Sequence, residues 1–180
     1  STLSFHETKN IQCGEGGALL INDPRLIERA EIIRDKGTNR SNFLQGRVDK
    51  YTWVDLGSSY VLSDILAAFL AAQLNDWKGI QAARSRVWQH YFNSLQHVCG
   101  DWFTLPVVPP DCSHPSHLFY LLLESNDTRS DLIEHLKERG IDAVFHYQPL
   151  HLSAMGRRWG GSPGQCPVTE SVSEDRKSTR

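Results

Sequence analysis

From Ile65 to Leu74 the chain reads Ile-Leu-Ala-Ala-Phe-Leu-Ala-Ala-Gln-Leu, directly behind Ser63-Asp64. Alanine and leucine are among the strongest helix formers, and a serine before an acidic first turn is an N-terminal cap signal. The resulting helix is apolar nearly all round. It has no face to turn to water, so it must be covered, either between layers of a fold or at a subunit interface. A layered protein is required. A chain of 180 residues is long enough to supply one, since a domain of this size removes roughly 70% of the surface its unfolded form exposes.

The rest of the chain reads as an α/β protein. Gly17 to Ile21 is a short apolar run behind glycines, as expected of a buried strand. Asn22-Asp23-Pro24 then supplies a cap and a proline for the first helical position. Leu26, Ile27, Ala30 and Ile33 recur at helical spacing, and Gly37 is the stop. From Thr38 to Gly57 no period is sustained, yet Tyr51 and Trp53 lie there, which suits a long ordered loop. An amphipathic helix from about Ile80 to Leu95 leads into the proline-rich Pro106 to Pro115. His117 to Leu123 reads as a second buried strand. Thr128 with Asp131 resembles a capping box on a helix that ends at Gly140, and Ile141 to Phe145 returns as a strand. The expected division is residues 1–76, residues 77–174 and an unassigned polar tail, 175–180, that continues no packed element.

Composition excludes several function classes. Nineteen Lys plus Arg against 21 Asp plus Glu leaves a formal net charge of −2, with no bulk attraction to nucleic acid or an anionic membrane. Small-molecule substrates fit better. Cys13, Cys99, Cys112 and Cys166 form no CxxC pair, so reduced thiols are expected rather than a zinc site or a disulfide framework. No apolar run approaches bilayer length and no signal peptide opens the chain, which suits a soluble, cytoplasmic protein. Ser1 is followed at once by a motif, so an upstream segment is expected to be missing.

That motif is Ser4-Phe5-His6-Glu7-Thr8-Lys9-Asn10, followed by Gly14-Glu15-Gly16-Gly17. Further clusters are Lys36-Gly37-Thr38-Asn39-Arg40-Ser41, Asp49-Lys50-Tyr51-Thr52-Trp53, Gly57-Ser58-Ser59-Tyr60, and Phe145-His146-Tyr147 with Pro149-Leu150-His151. Together they resemble the DegT/DnrJ/EryC1/StrS sugar aminotransferases from Ser1 to about Glu174. The resemblance implies the α/β architecture of fold type I, pyridoxal 5'-phosphate (PLP)-dependent aminotransferases. The chain would hold the C-terminal part of the large cofactor domain and most of the small domain. It also implies a homodimer with shared active sites, and transfer of an amine from L-glutamate to a nucleotide-linked keto sugar, with dTDP-4-keto-6-deoxyglucose as the expected acceptor. A sister enzyme for another keto sugar, and a catalytically inert binding module, are the alternatives.

By the same resemblance Lys9 would hold PLP in a Schiff base. A neutral lysine amine attacks an aldehyde, and once released it can carry a proton between carbon atoms of substrate and coenzyme. Ser4 matches the family serine that hydrogen-bonds the cofactor phosphate. Ser59 stands where an asparagine is common in the family, and it can still donate one hydrogen bond with shorter reach. Val61 replaces a frequent arginine, which removes one phosphate or carboxylate contact. The GEGG run suits a tight turn needing positive φ, and equally a phosphate cradle. His6 would shape the lysine loop, as a satisfied histidine or a catalytic one. His146, Tyr147 and His151 would contact the sugar or pyrophosphate. Two histidines without a third ligand do not suggest a metal. Arg40, Tyr51 and Trp53 would contact the nucleotide-sugar or the dimer partner, or be an exposed arginine and packed aromatics. The aspartate that pairs with the pyridine nitrogen and the aromatic that stacks on it cannot be located, so the segment alone is expected to bind PLP poorly.

Overall fold

The computed structural model describes residues 1–100, 102–174 and 178–179, and they form two compact units, Ser1–Ile80 and Gln81–Arg180. The first unit opens with β1 (Thr2–Ser4) and β2 (Gly17–Leu19), an antiparallel ribbon in which Thr2 faces Leu19 and Ser4 faces Gly17. The strand expected at Gly17 to Ile21 is therefore present but shorter, and it is exposed rather than buried. A sheet two strands wide leaves both faces open, whatever its hydrophobicity.

Asp23 caps the next element as its composition requires. Its carboxylate accepts the Arg25 N–H at 3.0 Å, Pro24 opens a short 3₁₀ turn, and α1 (Ile27–Arg34) follows. The helix stops where Gly37, at φ +75°, donates its N–H to Ile32 O at 2.8 Å. The stretch from Thr38 to Gly57 is ordered and contains a short helix, α2 (Arg40–Leu44). It returns to α1 through isolated bridges, Thr38 with Trp53 and Asp35 with Ser59. At Gly57 a Cβ would lie 2.1 Å from the Gly37 nitrogen, so only glycine allows this crossing.

The apolar helix is α3 (Asp64–Asn75), with Ser63 Oγ accepting the Leu66 N–H at 3.4 Å. None of its residues is buried, and Ile65 is 83% exposed. The expectation of burial between layers thus fails within this unit. Composition demands a cover but does not say which surface provides it.

Helix α4 (Trp77–Leu95) opens in the first unit and belongs to the second from Gln81, where it carries Trp88, which stacks on Phe92 at 5.3 Å and meets Phe119 edge-on at 5.4 Å. Beside it lie β3 (Phe103–Thr104) and β4 (Leu121–Leu123), whose Leu123 is 3% exposed. The strand expected from His117 is real only from Leu121. Upstream of that point the carbonyls that a ladder would use are taken by helix side chains. Arg84 Nη2 donates to His117 O at 2.6 Å and Trp88 Nε1 to Leu118 O at 3.2 Å. After β4 comes α5 (Asn126–Lys137), capped by Ser125 rather than by Thr128. Ser125 Oγ accepts the Thr128 N–H at 3.2 Å, so the supposed capping residue is instead the third residue of the helix. Residues 141–144 form no strand, and Phe145 makes only an isolated bridge.

Two further helices, α6 (Ala154–Arg158) and α7 (Pro167–Glu174), complete the unit together with β5 (Ser178–Thr179). The sheet order is β3-β4-β5, antiparallel throughout. Part of the expected unassigned tail therefore pairs with β4. A ladder uses backbone groups and is indifferent to polar side chains. Residues 175–177 and 180 lie outside the described residues. Among the described residues no helix is long and apolar enough to cross a membrane, no group of acidic, cysteine and histidine side chains could hold a metal ion, and all four cysteines are free.

Candidate functional site

In the first unit the β1–β2 ribbon continues past its strands as a narrow loop. Phe5 N donates to Gly16 O at 2.8 Å, Glu7 N to Gly14 O at 2.8 Å and Cys13 N to Phe5 O at 2.9 Å. Gly14 takes φ +80°, the left-handed geometry that closes the turn, so the GEGG run performs its turn role at this residue. Cys13, only 2% exposed, fills the inside of the loop, and a Cβ on Gly16 would come within 2.5 Å of its sulfur. Lys9 sits near the tip, exposed, with its N–H donated to His6 O at 2.9 Å.

His6 braces that tip. Its Nδ1 accepts the Thr8 N–H at 3.2 Å and lies 3.0 Å from Thr8 Oγ1. In the neutral ring the proton is then on Nε2, which is 3.4 Å from Glu15 Oε1. One imidazole thus ties the residue before Lys9 to the returning arm of the loop. Ser4, at the end of β1, accepts the His6 N–H through Oγ at 3.4 Å, which leaves its hydroxyl proton for an outside acceptor.

The other first-unit candidates surround Asp35, a buried carboxylate. Arg40 Nη1 lies 3.4 Å from Asp35 Oδ2, and Lys36 Nζ lies 3.6 Å from Oδ1. Ser59 is bridged to Asp35 through the backbone, while Ser58 N donates to Ile33 O at 2.9 Å. Tyr51 packs on Phe43 with ring centroids 5.7 Å apart, and Trp53 Nε1 donates to Asp55 O at 2.6 Å. Asp35 therefore joins Arg40, through its side chain, to Ser59, through its backbone, while Tyr51 lies on the loop that follows α2.

In the second unit His146 and Tyr147 are adjacent, joined by a cis peptide bond, with rings 5.8 Å apart. Tyr147 is 67% exposed. His151, by contrast, is turned inward. Its Nε2 meets Glu170 Oε1 at 2.7 Å, with the side chains only 13% and 15% exposed. The Glu170 carboxylate also accepts Gly164 N–H at 2.8 Å and Cys166 N–H at 3.1 Å. The Gly164 N–H, followed by the His151 imidazole, holds the Glu170 carboxyl below its ordinary value of 4.5. Glu170 and Arg129, whose guanidinium carbon stands 4.5 Å from the Phe145 ring centroid, were not foreseen from the sequence. Glu170 is 19 residues from its histidine, and no spacing rule joins them.

Comparison with known proteins gives a consistent result. The DegT/DnrJ/EryC1/StrS aminotransferase family matches residues 1–178. A "dTDP-3-amino-3,4,6-trideoxy-alpha-D-glucose transaminase" of Streptomyces venezuelae is 34% identical, over 95% of this chain and 42% of its own length. The "erythromycin biosynthesis sensory transduction protein EryC1" of Saccharopolyspora erythraea is 33% identical, over 96% and 44%. Among solved structures, S. venezuelae DesV in complex with a ketimine intermediate has a TM-score of 0.78 at 32% identity, over 98% of this chain and 44% of that one. An aminotransferase, TlmJ from Streptoalloteichus hindustanus, reaches a TM-score of 0.80 at 24% identity, a likeness of fold alone. The chain spans less than half the length of these relatives.

Proposed function

Because this chain belongs to the DegT/DnrJ/EryC1/StrS aminotransferase family, we propose that it carries the lysine of a PLP-dependent sugar aminotransferase. PLP, the coenzyme of this family, supplies an electron sink when bound. The chain's own residues supply the rest. Lys9 would hold the coenzyme through its amine, and its Nζ would carry the proton that amine transfer has to move. His6 and the loop's backbone rungs hold that amine's stem in one place, which is what proximity catalysis needs. Ser4 donates its free hydroxyl proton to the coenzyme phosphate, and Ser59 donates to the phosphate held by a second copy. Arg40 and Tyr51 are the first unit's own candidates for nucleotide-sugar contact, and His146 and Tyr147 are the second's, together with His151, which would offer the ring nitrogen that Glu170 does not hold.

The exposed, braced lysine at the tip of the hairpin carries this reading. The donor set suits the coenzyme: a primary amine for an aldehyde and a hydroxyl for a phosphate. The amino donor is L-glutamate and the acceptor dTDP-4-keto-6-deoxyglucose, giving dTDP-4-amino-4,6-dideoxygalactose. The motif clusters also resemble the transaminase that makes this sugar for enterobacterial common antigen. The S. venezuelae relative, a dTDP-3-amino-sugar transaminase, favours a second reading, amination of a different keto-sugar position. Residues 1–76 are the end of the large cofactor domain and 77–174 most of the small one. The uncovered apolar α3 supports a homodimer, because an apolar helix of this kind is covered by another surface.

Borohydride reduction of the full-length protein with PLP, followed by peptide mapping, tests the central claim. The label is expected on Lys9; recovery on another residue, or on none, overturns it. Incubation with dTDP-keto sugars and glutamate, read by product identity, separates the two substrate readings.

A further inference from the structure

The segment from Phe145 to His151 carries the exposed Tyr147 but is anchored at both ends by residues remote in sequence. At the leading end the Arg129 guanidinium, in the first turn of α5, lies over the Phe145 ring at 4.5 Å. Its Nε and Nη1 are buried and have no hydrogen-bond partner among the described residues. Buried donors without acceptors are costly, and a methionine or leucine would fill the same space without that cost. What the guanidinium does make is a planar cation contact with the Phe145 ring, which fixes that ring against the start of α5. At the trailing end Glu170 draws in His151 at 2.7 Å, while its remaining contacts, the Gly164 and Cys166 N–H groups, close the loop ahead of α7. An ionised carboxylate only accepts, so His151 Nε2 donates and the ring orientation is set. A Cβ on Gly156 would stand 2.0 Å from Leu150 O, so the backbone at this end is also held by close approach.

We propose that Arg129 and Glu170 are positioning residues for nucleotide-sugar recognition. They pin the two ends of the Phe145–His151 segment and thereby hold the Tyr147 ring in the orientation that receives the sugar nucleotide. The inference rests on the reading of that segment as a sugar contact. Neither residue touches the reacting atoms. Their removal leaves the exchange of an amine between glutamate and the coenzyme intact.

The test uses the full-length protein with PLP and the variants Arg129→Met, Arg129→Lys, Glu170→Gln and Tyr147→Leu. Binding of dTDP is measured by calorimetry, and the glutamate half-reaction is followed separately by the coenzyme's absorbance. Arg129→Met and Glu170→Gln are expected to weaken dTDP binding by about tenfold or more, the scale on which misplacing a binding group acts. Arg129→Lys, which keeps charge but loses the planar face, falls between. The glutamate half-reaction rate of the Arg129 and Glu170 variants stays at the wild-type value. Combining Arg129→Met with Tyr147→Leu should cost no more than Tyr147→Leu alone, because both act through one ring. Additive losses overturn the proposal, as does wild-type dTDP affinity in Arg129→Met and Glu170→Gln when Tyr147→Leu binds weakly. If Tyr147→Leu itself binds dTDP normally, the sugar-contact reading fails and the positioning role falls with it. If Arg129→Met does not fold, Glu170→Gln and Arg129→Lys decide by the same criteria.

Discussion

The lysine hairpin and the Phe145–His151 segment are both short exposed pieces of backbone bearing reactive side chains, but they are held in opposite ways. The hairpin is tied within itself. The backbone rungs and the His6 imidazole that brace Lys9 lie within residues 4–16. The second segment is tied from outside, by Arg129 ahead of it and Glu170 behind it. The braces of a self-contained loop lie within its own contiguous motif, whereas those of a loop held by distant side chains lie outside it.

The largest effect should fall on the hairpin's chemistry. Lys9→Ala in the full-length protein is expected to abolish borohydride labelling and lower kcat by about 10³-fold or more, on the scale of lost proton transfer. A steady-state assay in glutamate checks this, and near-normal turnover would break the comparison at its first term. Next comes the close crossing that supports the first unit. Gly57→Ala places a Cβ 2.1 Å from the Gly37 nitrogen and should cost about 1–3 kcal/mol, read from denaturant midpoints. An unchanged midpoint would mean that the crossing relaxes freely. In the second unit Ser125→Ala removes the cap of α5, beside Arg129, and should cost about 1 kcal/mol by the same measurement.

The smallest effect on stability at neutral pH, and the sharpest in acid, belongs to Glu170. Its carboxyl is held below 4.5 in the folded chain, so its contribution is complete above 4.5 and is lost as the pH falls through the depressed value. Amide exchange at Gly164 and Cys166, corrected for intrinsic rates, should therefore accelerate on acidification. Glu170→Gln should show faster exchange already at neutral pH and a flatter profile below it. Identical profiles in both proteins would place the closure of this loop elsewhere.

Much of the helical structure was legible, because caps and periodicity are local. Asp23 with Pro24, Gly37, and Ser63 before α3 each act within a turn of where they stand. The failures share a cause. His117 to Phe119 has the composition of a strand, yet Arg84 and Trp88, more than two dozen residues upstream, take its carbonyls. Ser178–Thr179 has no strand-like composition and pairs nonetheless, because its partner β4 supplies the ladder. α3 was correctly read as a helix, and the sequence could not say that its own unit would leave it uncovered.

For this protein the one-dimensional order of residues determined the chemistry available, a lysine between a serine and a glycine-rich turn, and the helices that local capping specifies. Tertiary structure alone decided which side chains brace each segment: His6 reaching back to Glu15 in the lysine hairpin, and in the second unit Arg129 over Phe145 and Glu170 gathering His151 with two backbone amides. Capping and helical periodicity act over a few residues of chain. Salt bridges and ring contacts depend on distance in space, which folding sets independently of separation along the chain.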